Sequence, residues 1–168
     1  DTPPLREAAE LTARLWLAEG FPALAEAAER EGDPGALAVV ANCRGFAESL
    51  GPDAVGQALL RRATLVRQWL LFLERTPVLL LPVSAELPFP DGLDMQGEAA
   101  FRRVWEAQLT QLGLPLLGVP ALAVATGLAG TAPVGVQVVA GRYREDLCLL
   151  AGEAIEAGGT PPLPVDPA

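Results

Sequence analysis

Histidine and lysine are both missing from this sequence. It contains no histidine, and all twelve of its basic residues are arginine. Histidine is the most frequent general base in enzymes, and lysine forms Schiff bases and can activate a nucleophile. The common Ser–His, Cys–His and Schiff-base mechanisms are therefore excluded for these residues acting alone. We predict no catalytic residue and no cofactor in this chain.

Serine and cysteine are also scarce. Ser49 lies near a predicted helix end and outside any G-x-S-x-G pattern, so we interpret it as a structural hydroxyl. Ser84 lies in a proline-rich loop and is the better candidate for contacting a ligand. Cys43 and Cys148 form no C-x-x-C pattern, which excludes a zinc site and a disulfide framework. We predict two buried free thiols in a reducing, cytoplasmic compartment.

Basic residues are also fewer than acidic ones. Acidic residues number 21 against 12 basic ones, for a net charge of −9, which disfavours nonspecific nucleic-acid binding. The amino end lacks the basic and apolar regions of a signal peptide, and a membrane partner is not expected. It also lacks an initiator methionine, so we expect a chain that was processed or cut from something longer.

The most prominent feature that is present is a long stretch without charge. Residues 107–141 contain no charged side chain, so we expect this stretch to be buried. Its β-branched residues and its Gly/Pro punctuation favour buried strands over a membrane helix. With 51% hydrophobic residues, we predict a single domain over residues 1–159. The proline-rich tail, residues 160–168, is predicted to be disordered.

The periodicity of apolar residues predicts an α/β fold, with about six helices packed around a small mixed sheet. Predicted helices cover residues 1–20, 22–31, 33–50, 53–75, 97–112 and 145–157. Predicted strands cover residues 78–81, 121–126 and 134–140, with apolar residues suited to a sheet covered on both faces. A turn is expected at 115–120 and a glycine-rich connection at 126–132.

Gln137 is the only polar side chain within residues 134–140. A buried amide must find hydrogen-bond partners, so Gln137 either ties neighbouring loops together or orders the wall of a pocket. Asp91 and Asp94 share the loop after the first strand, where turn or capping roles are favoured over a paired acid. The substrate-pocket candidates are therefore Ser84 and Gln137, and no metal ligand is predicted.

Three blocks of sequence together resemble one known family. Residues 118–124 read GVPALAV, Thr126-Gly127 follows, and residues 133–139 read PVGVQVV before a predicted helix. This order resembles the carboxy-terminal end of the amidase signature family. Residues 78–82, VLLLP, and the proline-rich loop after them resemble the preceding stretch of that family. The similarity covers most of residues 60–157.

The resemblance implies a carboxy-terminal portion of an α/β/α amidase fold. Family members hydrolyse amides through a serine acyl-enzyme, with a Ser–cis-Ser–Lys triad in an earlier Gly/Ser-rich segment. Because this chain has no lysine and no Ser-Ser pair, none of those residues can be assigned here. The implied role is to complete the sheet and help wall the acyl pocket, for a small-molecule amide bound by the complete enzyme.

Several positions depart from the family pattern. Pro115, Ala125 and Thr131 replace the usual Asn, Pro and Gly, and Pro77 stands where an acid often precedes the strand. The acid that the tRNA-dependent amidotransferase branch usually has for holding glutamine has no counterpart at Gln108 itself, which favours a general amidase over that branch. Two alternatives stay open: a missing amino-terminal portion or a homo-oligomer could cover the strands. The competing function is a non-enzymatic helical interaction module that buries its strands against a partner chain.

Overall fold

The computed structural model describes residues 1–159, which form six α-helices and one three-stranded sheet. The α-helices are α1 (Leu5–Glu31), α2 (Pro34–Glu48), α3 (Ala54–Arg75), α4 (Glu98–Ala107), α5 (Leu109–Leu117) and α6 (Glu145–Gly158). The strands are β1 (Val78–Pro82), β2 (Ala121–Ala129) and β3 (Ala132–Ala140), and a short 3-10 helix covers Leu93–Met95. The α/β fold class is confirmed. The predicted tail lies outside the described residues, and the single domain stays a prediction.

The sheet has the order β1-β3-β2, and both pairings are antiparallel. The prediction of a mixed sheet is therefore corrected: all strand directions within residues 1–159 alternate. The expected connection at 126–132 is also wrong, because β2 and β3 form a hairpin with only Gly130 and Thr131 between them. Gly130 has φ +66°, and the positive φ that so short a turn requires is available to glycine without strain.

The amino-terminal helices differ from the expected pair. α1 runs without interruption through Gly20 and Pro22, where a break was predicted. Proline removes one backbone hydrogen bond, but Phe21 and Ala28, on either side of Pro22, are buried together against Val40 of α2, and this packing holds the helix together there. α1 ends at Gly32, which has the left-handed φ of +68° common in helix caps.

The helix predicted over 97–112 divides at Gln108 into α4 and α5. α5 then continues through Pro115 into the region predicted as a turn, and it ends at Gly118 with φ +63°. Leu114, Leu116 and Leu117 are buried, so apolar packing outweighs the hydrogen bond that Pro115 removes.

The two faces of the sheet are covered by different helices. Side chains alternate along a strand, so Leu79, Leu81 and Val139 face the core formed by α1, α3 and α5. The opposite face, which includes Val124 and Val138, packs against α6. The end of β3 is buried on both faces, but α5 occupies part of the charge-free stretch and alternate residues of β2 are exposed, so the prediction of buried strands is confirmed only in part.

α1 and α5 approach each other closely at Gly113. A Cβ atom built on Gly113 would lie 2.7 Å from Leu5 Cδ1 and 2.9 Å from the Leu5 carbonyl oxygen. On the same helix pair, the single proton of the Thr12 hydroxyl has two carbonyl oxygens within reach, Leu112 O at 2.8 Å on α5 and Ala8 O at 3.1 Å on α1. This contact fixes the position of α5. It therefore also fixes the loop after β1, which is hydrogen-bonded to α5.

Replacing Gly113 by alanine is expected to destabilise the chain by about 1–3 kcal/mol, because the new methyl group meets backbone that cannot give way cheaply. Gly20→Ala is the matched control, since both glycines are helical and Gly20 has no atom within 4 Å of its Cβ position. Helix propensity alone predicts that the control gains about 0.5–1 kcal/mol. Urea denaturation measures both values, and equal effects of the two substitutions would contradict the close packing.

Candidate functional site

Gln137 lies at the centre of the sheet, on β3. Its pairing partners are Leu81 on β1 and Ala123 on β2. Directly opposite residues put their side chains on one face, so the Gln137 amide lies on the side of α1, α3 and α5. Its Oε1 atom is buried and has no hydrogen-bond partner among residues 1–159.

An acceptor in this state is energetically unfavourable. A buried carbonyl oxygen that loses its water without gaining a protein donor costs about 1–3 kcal/mol. Gln137 makes no side-chain hydrogen bond to a neighbouring loop within the described residues, which leaves the loop-tying interpretation without support. Among these residues the only other buried polar side-chain atom without a partner is Trp69 Nε1.

Ser84 lies two residues beyond the end of β1. β1 ends at Pro82, opposite Val136, so Ser84 lies past the paired part of the strand and not beside Gln137. The Ser84 hydroxyl accepts a hydrogen bond from the Glu86 N–H at 3.2 Å. The structure therefore places Gln137 within the sheet and Ser84 outside it, and no hydrogen bond joins the two predicted pocket residues.

The loop after β1 is held by the junction of α4 and α5. The Val83 carbonyl accepts hydrogen bonds from Thr110 Oγ1 at 3.0 Å and Gln111 Nε2 at 2.9 Å. The Ala85 N–H donates to the Ala107 carbonyl at 2.8 Å. These three bonds fix the backbone on both sides of Ser84.

Glu86 and Arg103 add an ion pair to the same loop. The Arg103 guanidinium donates to both Glu86 carboxylate oxygens at 2.6–3.1 Å. This hydrogen bonding lowers the pKa of Glu86 below its usual range and raises the pKa of Arg103. Both groups are exposed, so salt screens their attraction.

Asp91 and Asp94 occupy the far part of the loop as turn residues. Asp91 lies in the turn before the 3-10 helix, and Asp94 lies within that helix. The Asp94 carbonyl oxygen accepts a hydrogen bond from Asn42 Nδ2 at 3.3 Å, which ties the loop to α2. The capping and turn interpretation therefore accounts for this pair better than a paired acid does.

A groove that sequence reasoning missed lies between α1, α2 and α4. It encloses about 630 Å³ and is lined mainly by apolar side chains, among them Leu17, Phe46, Phe101 and Trp105. The helical spacing of Phe101 and Trp105 was the available signal, but it does not indicate that two other helices complete the wall.

The two cysteines are free, and they differ in burial. Cys148 is buried, with its Sγ 3.7 Å from the carbonyl oxygens of Pro120 and Val138, which confirms a buried thiol. Cys43 is only half-buried and lines the groove, which corrects the prediction of two buried thiols. Burial raises the pKa of both thiols, so both stay protonated and weakly nucleophilic at neutral pH.

Residues 1–159 show neither a cluster of metal ligands nor a helix suited to crossing a membrane. No group of three or more metal-ligating side chains occurs there that could hold a metal ion. None of the α-helices in that range combines the length and the apolar character that crossing a bilayer requires.

Comparison with curated proteins identifies partial relatives. No family model matches the chain. It is 37% identical over 101 residues to an indoleacetamide hydrolase of Bradyrhizobium japonicum, covering 60% of this chain and 22% of that protein. An indoleacetamide hydrolase of Bradyrhizobium diazoefficiens matches equally well over 19% of its length. The match therefore spans about a fifth of the curated relatives.

Solved structures share the fold over nearly the whole chain. A crystal structure of an amidase gives a TM-score of 0.73 at 24% identity, covering 94% of this chain and 37% of that one. A vestigial complex related to the origin of an s-triazine catabolic enzyme gives 0.72 at 18% identity, covering 97% and 36%. Allophanate hydrolase from Kluyveromyces lactis gives 0.68 at 20% identity, covering 95% and 26%. Amidases recur among the relatives and the structural neighbours.

Replacing Gln137 by methionine is expected to stabilise the chain by about 1 kcal/mol, because methionine keeps the volume and removes the unpartnered acceptor. Gln111→Met is the matched control: it removes a hydrogen bond to Val83 and should lose up to about 1 kcal/mol. Thermal and urea unfolding measure both changes. A loss of stability in Gln137→Met would show that Oε1 has a partner in solution.

The Glu86 carboxyl is expected to titrate below its ordinary pKa of 4.5. Since the folded pKa is lowered, the pair stabilises the loop above about pH 4.5, and this contribution is lost as the pH falls through the folded value. Arg103→Gln should move the Glu86 midpoint upward in a carbon-13 NMR titration, and added salt should move it the same way. An unchanged midpoint in Arg103→Gln would refute the coupling.

Proposed function

We propose that this chain is the carboxy-terminal, non-catalytic portion of an amidase-signature enzyme that hydrolyses the carbon–nitrogen bonds of small-molecule amides. The observation that carries the proposal is the 37% identity to indoleacetamide hydrolases over 101 residues. The fold likeness to an amidase, over 94% of this chain and 37% of that one, supports the assignment to one part of a longer enzyme. The two free thiols accord with a cytoplasmic location.

The surroundings of the two serines support a non-catalytic role. The Ser49 hydroxyl donates to the Phe46 carbonyl at 2.7 Å at the end of α2, an ordinary helix-end contact. The Ser84 hydroxyl accepts from a backbone N–H in its own turn. Because the sequence has neither histidine nor lysine, neither hydroxyl has one of the usual proton acceptors beside it.

In the proposed enzyme, the nucleophilic serine and its proton acceptor belong to the rest of the polypeptide. The serine oxygen attacks the amide carbonyl, the amine leaves with a proton, and water then releases the acid from the acyl-enzyme. Backbone N–H groups stabilise the oxyanion that forms on the way. This chain contributes the rim, through the loop that follows β1, and the wall around Gln137.

Gln137 is assigned to the wall because of its unpartnered acceptor. A buried oxygen without a donor is costly, and such groups in folded proteins call for an explanation beyond the fold. A donor from the remaining polypeptide of the proposed enzyme would satisfy Oε1. Ser84 is assigned to the rim because hydrogen bonds to the junction of α4 and α5 fix the backbone on both sides of it, just after β1 ends.

The alternative, a non-enzymatic interaction module, rests on the exposure of apolar side chains. Several large apolar side chains are exposed, among them Leu60 at 76% and Leu80 at 55%. Both functions require a covering polypeptide, so the distinction depends on whether that polypeptide brings a reactive serine.

Labelling with a fluorophosphonate probe decides between the two functions. The longer polypeptide encoded in the same reading frame is expected to be labelled at a serine outside these residues and to hydrolyse amides such as indole-3-acetamide. The 168-residue chain alone is expected to give neither label nor turnover. Labelling of Ser49 or Ser84, or turnover by the chain alone, would overturn the non-catalytic assignment, and an unlabelled longer polypeptide would favour the interaction module.

A further inference from the structure

We propose that the groove between α1, α2 and α4 binds a neutral aromatic amide, and that Asn42 is the residue that selects the amide. The inference rests on the proposed function and deepens it, because it names the class of substrate that this chain helps to hold. The groove is formed by helices and not by the sheet, so it is a ligand contact separate from Gln137.

The size of the groove suits a small organic molecule. Its volume is about 630 Å³. Sites for small ligands commonly have volumes of roughly 300–1,000 Å³. A simple amide such as acetamide would leave most of this space unfilled, whereas a fused aromatic ring system with a short amide side chain would occupy much more of it.

Aromatic rings form two sides of the groove. Phe101 and Trp105 are four residues apart and therefore lie on the same face of α4. Phe46 of α2 lines the groove with them and is 39% exposed, so part of its ring is in contact with water. An aromatic ligand would cover this apolar surface and would pack favourably against the rings.

Asn42 places a hydrogen-bond acceptor in this mainly apolar groove. The side chain is half-buried, and its Nδ2 donates to the Asp94 carbonyl oxygen at 3.3 Å, which fixes the orientation of the amide group. Within residues 1–159, no protein donor is bonded to the Asn42 Oδ1 atom. Oδ1 can therefore accept a hydrogen bond from a ligand. A primary amide has two N–H groups to donate, and a carboxylate has none.

The charges around the groove favour a neutral ligand over an anionic one. Of the described residues that line it, only Arg102 is basic, and its guanidinium is bonded to Glu98. Glu10 also lines the groove, on the α1 side. Arg6, one helical turn from Glu10, is bonded to Glu106 instead. A carboxylate in the groove would therefore meet negative charge that no bonded cation offsets.

The groove adjoins the loop that we assign to the pocket rim. The loop after β1 contains Asp94, whose carbonyl oxygen holds Asn42. The same loop is joined to α4 by the ion pair of Glu86 with Arg103. A ligand in the groove would therefore lie beside this loop, which is where the proposed function requires a substrate.

Binding to the 168-residue chain tests the groove without requiring catalysis. The probes are 1-naphthaleneacetamide and 1-naphthaleneacetate, which match in size but differ in charge and in N–H donors. In a nitrogen-15 NMR titration, the amide is expected to shift the Trp105 indole signal saturably, and the acetate to bind at least about tenfold more weakly. The indole signals of Trp16 and Trp69, which do not line the groove, are internal controls. Absence of a saturable Trp105 shift, equal affinities for the two probes, or equal shifts of all three indoles would overturn the proposal.

Two substitutions separate the hydrogen bond from the charge. Asn42→Leu is expected to weaken binding of 1-naphthaleneacetamide about three- to tenfold. Glu10→Gln is expected to strengthen binding of the acetate at least about twofold and to leave the amide affinity within about twofold. Gln68→Leu replaces an exposed amide on α3 outside the groove and should change neither affinity. An unchanged Trp69 signal shows that each variant is folded. Unaltered amide binding in folded Asn42→Leu would refute selection by Asn42, and unaltered acetate binding in Glu10→Gln would refute the role of charge.

The longer polypeptide distinguishes this inference from the proposed function. There, 1-naphthaleneacetamide is expected to shift Trp105 and to be hydrolysed with a KM at least about tenfold below that of acetamide. Binding without hydrolysis would fault the proposed function and leave the groove site standing. Hydrolysis with equal KM values, or without a Trp105 shift, would fault the groove site alone, because another part of the polypeptide would then fill the groove or hold the substrate.

Discussion

The pairing of β3 with two neighbours is the constraint on which the described structure depends. β3 is the middle strand, and Val138, Val139 and Ala140 are completely buried between the helical core and α6. A strand buried on both faces cannot carry charge without a large desolvation cost, which accounts for the absence of charged residues around it. The helices are arranged around this strand, and the position of Gln137 follows from its register.

The strands were largely predictable because burial and β-branched residues are recorded in the local sequence. The directions of the strands were not, since antiparallel pairing depends on how β1 reaches β3 across the intervening helices. Local signals also failed at Pro22 and Pro115, where packing of Phe21 and Leu117 outweighed a lost hydrogen bond. A proline in the sequence indicates only the local free-energy cost of a lost backbone hydrogen bond. The larger free energy gained from tertiary packing depends on residues that are distant in the sequence.

The candidate site was predictable only in part. A lone amide in an apolar strand indicated Gln137, and the loop composition indicated Ser84. Neither pattern contained the information that Oε1 lacks a donor, because satisfaction of a buried atom depends on every neighbouring element. The groove beside Cys43 was missed for the same reason: three helices form it, and their relative placement is not a local property.

Arginine replaces lysine throughout, and several arginines link separate elements. Arg61 pairs with Glu7 between α3 and α1, Arg62 donates to the Leu116 carbonyl at 2.7 Å, and Arg103 holds the loop after β1. A planar guanidinium with several donors suits such bridging contacts better than a single ammonium group. Because these pairs are mostly exposed, each contributes little to stability, and their main effect is on the relative placement of the elements.

The tight hairpin between β2 and β3 has a consequence for how this region can change in evolution. Side chains alternate between faces with a period of two, so inserting or deleting one residue before Gln137 in β3 would turn the amide toward α6 and bring a valine to its former place. An insertion or deletion of two residues would return the amide to its original face of the sheet, but it would shorten or lengthen the pairing of β3 with β1. Descendants of this sequence that keep the buried amide are therefore expected to tolerate length variation beyond the sheet rather than at Gly130 and Thr131.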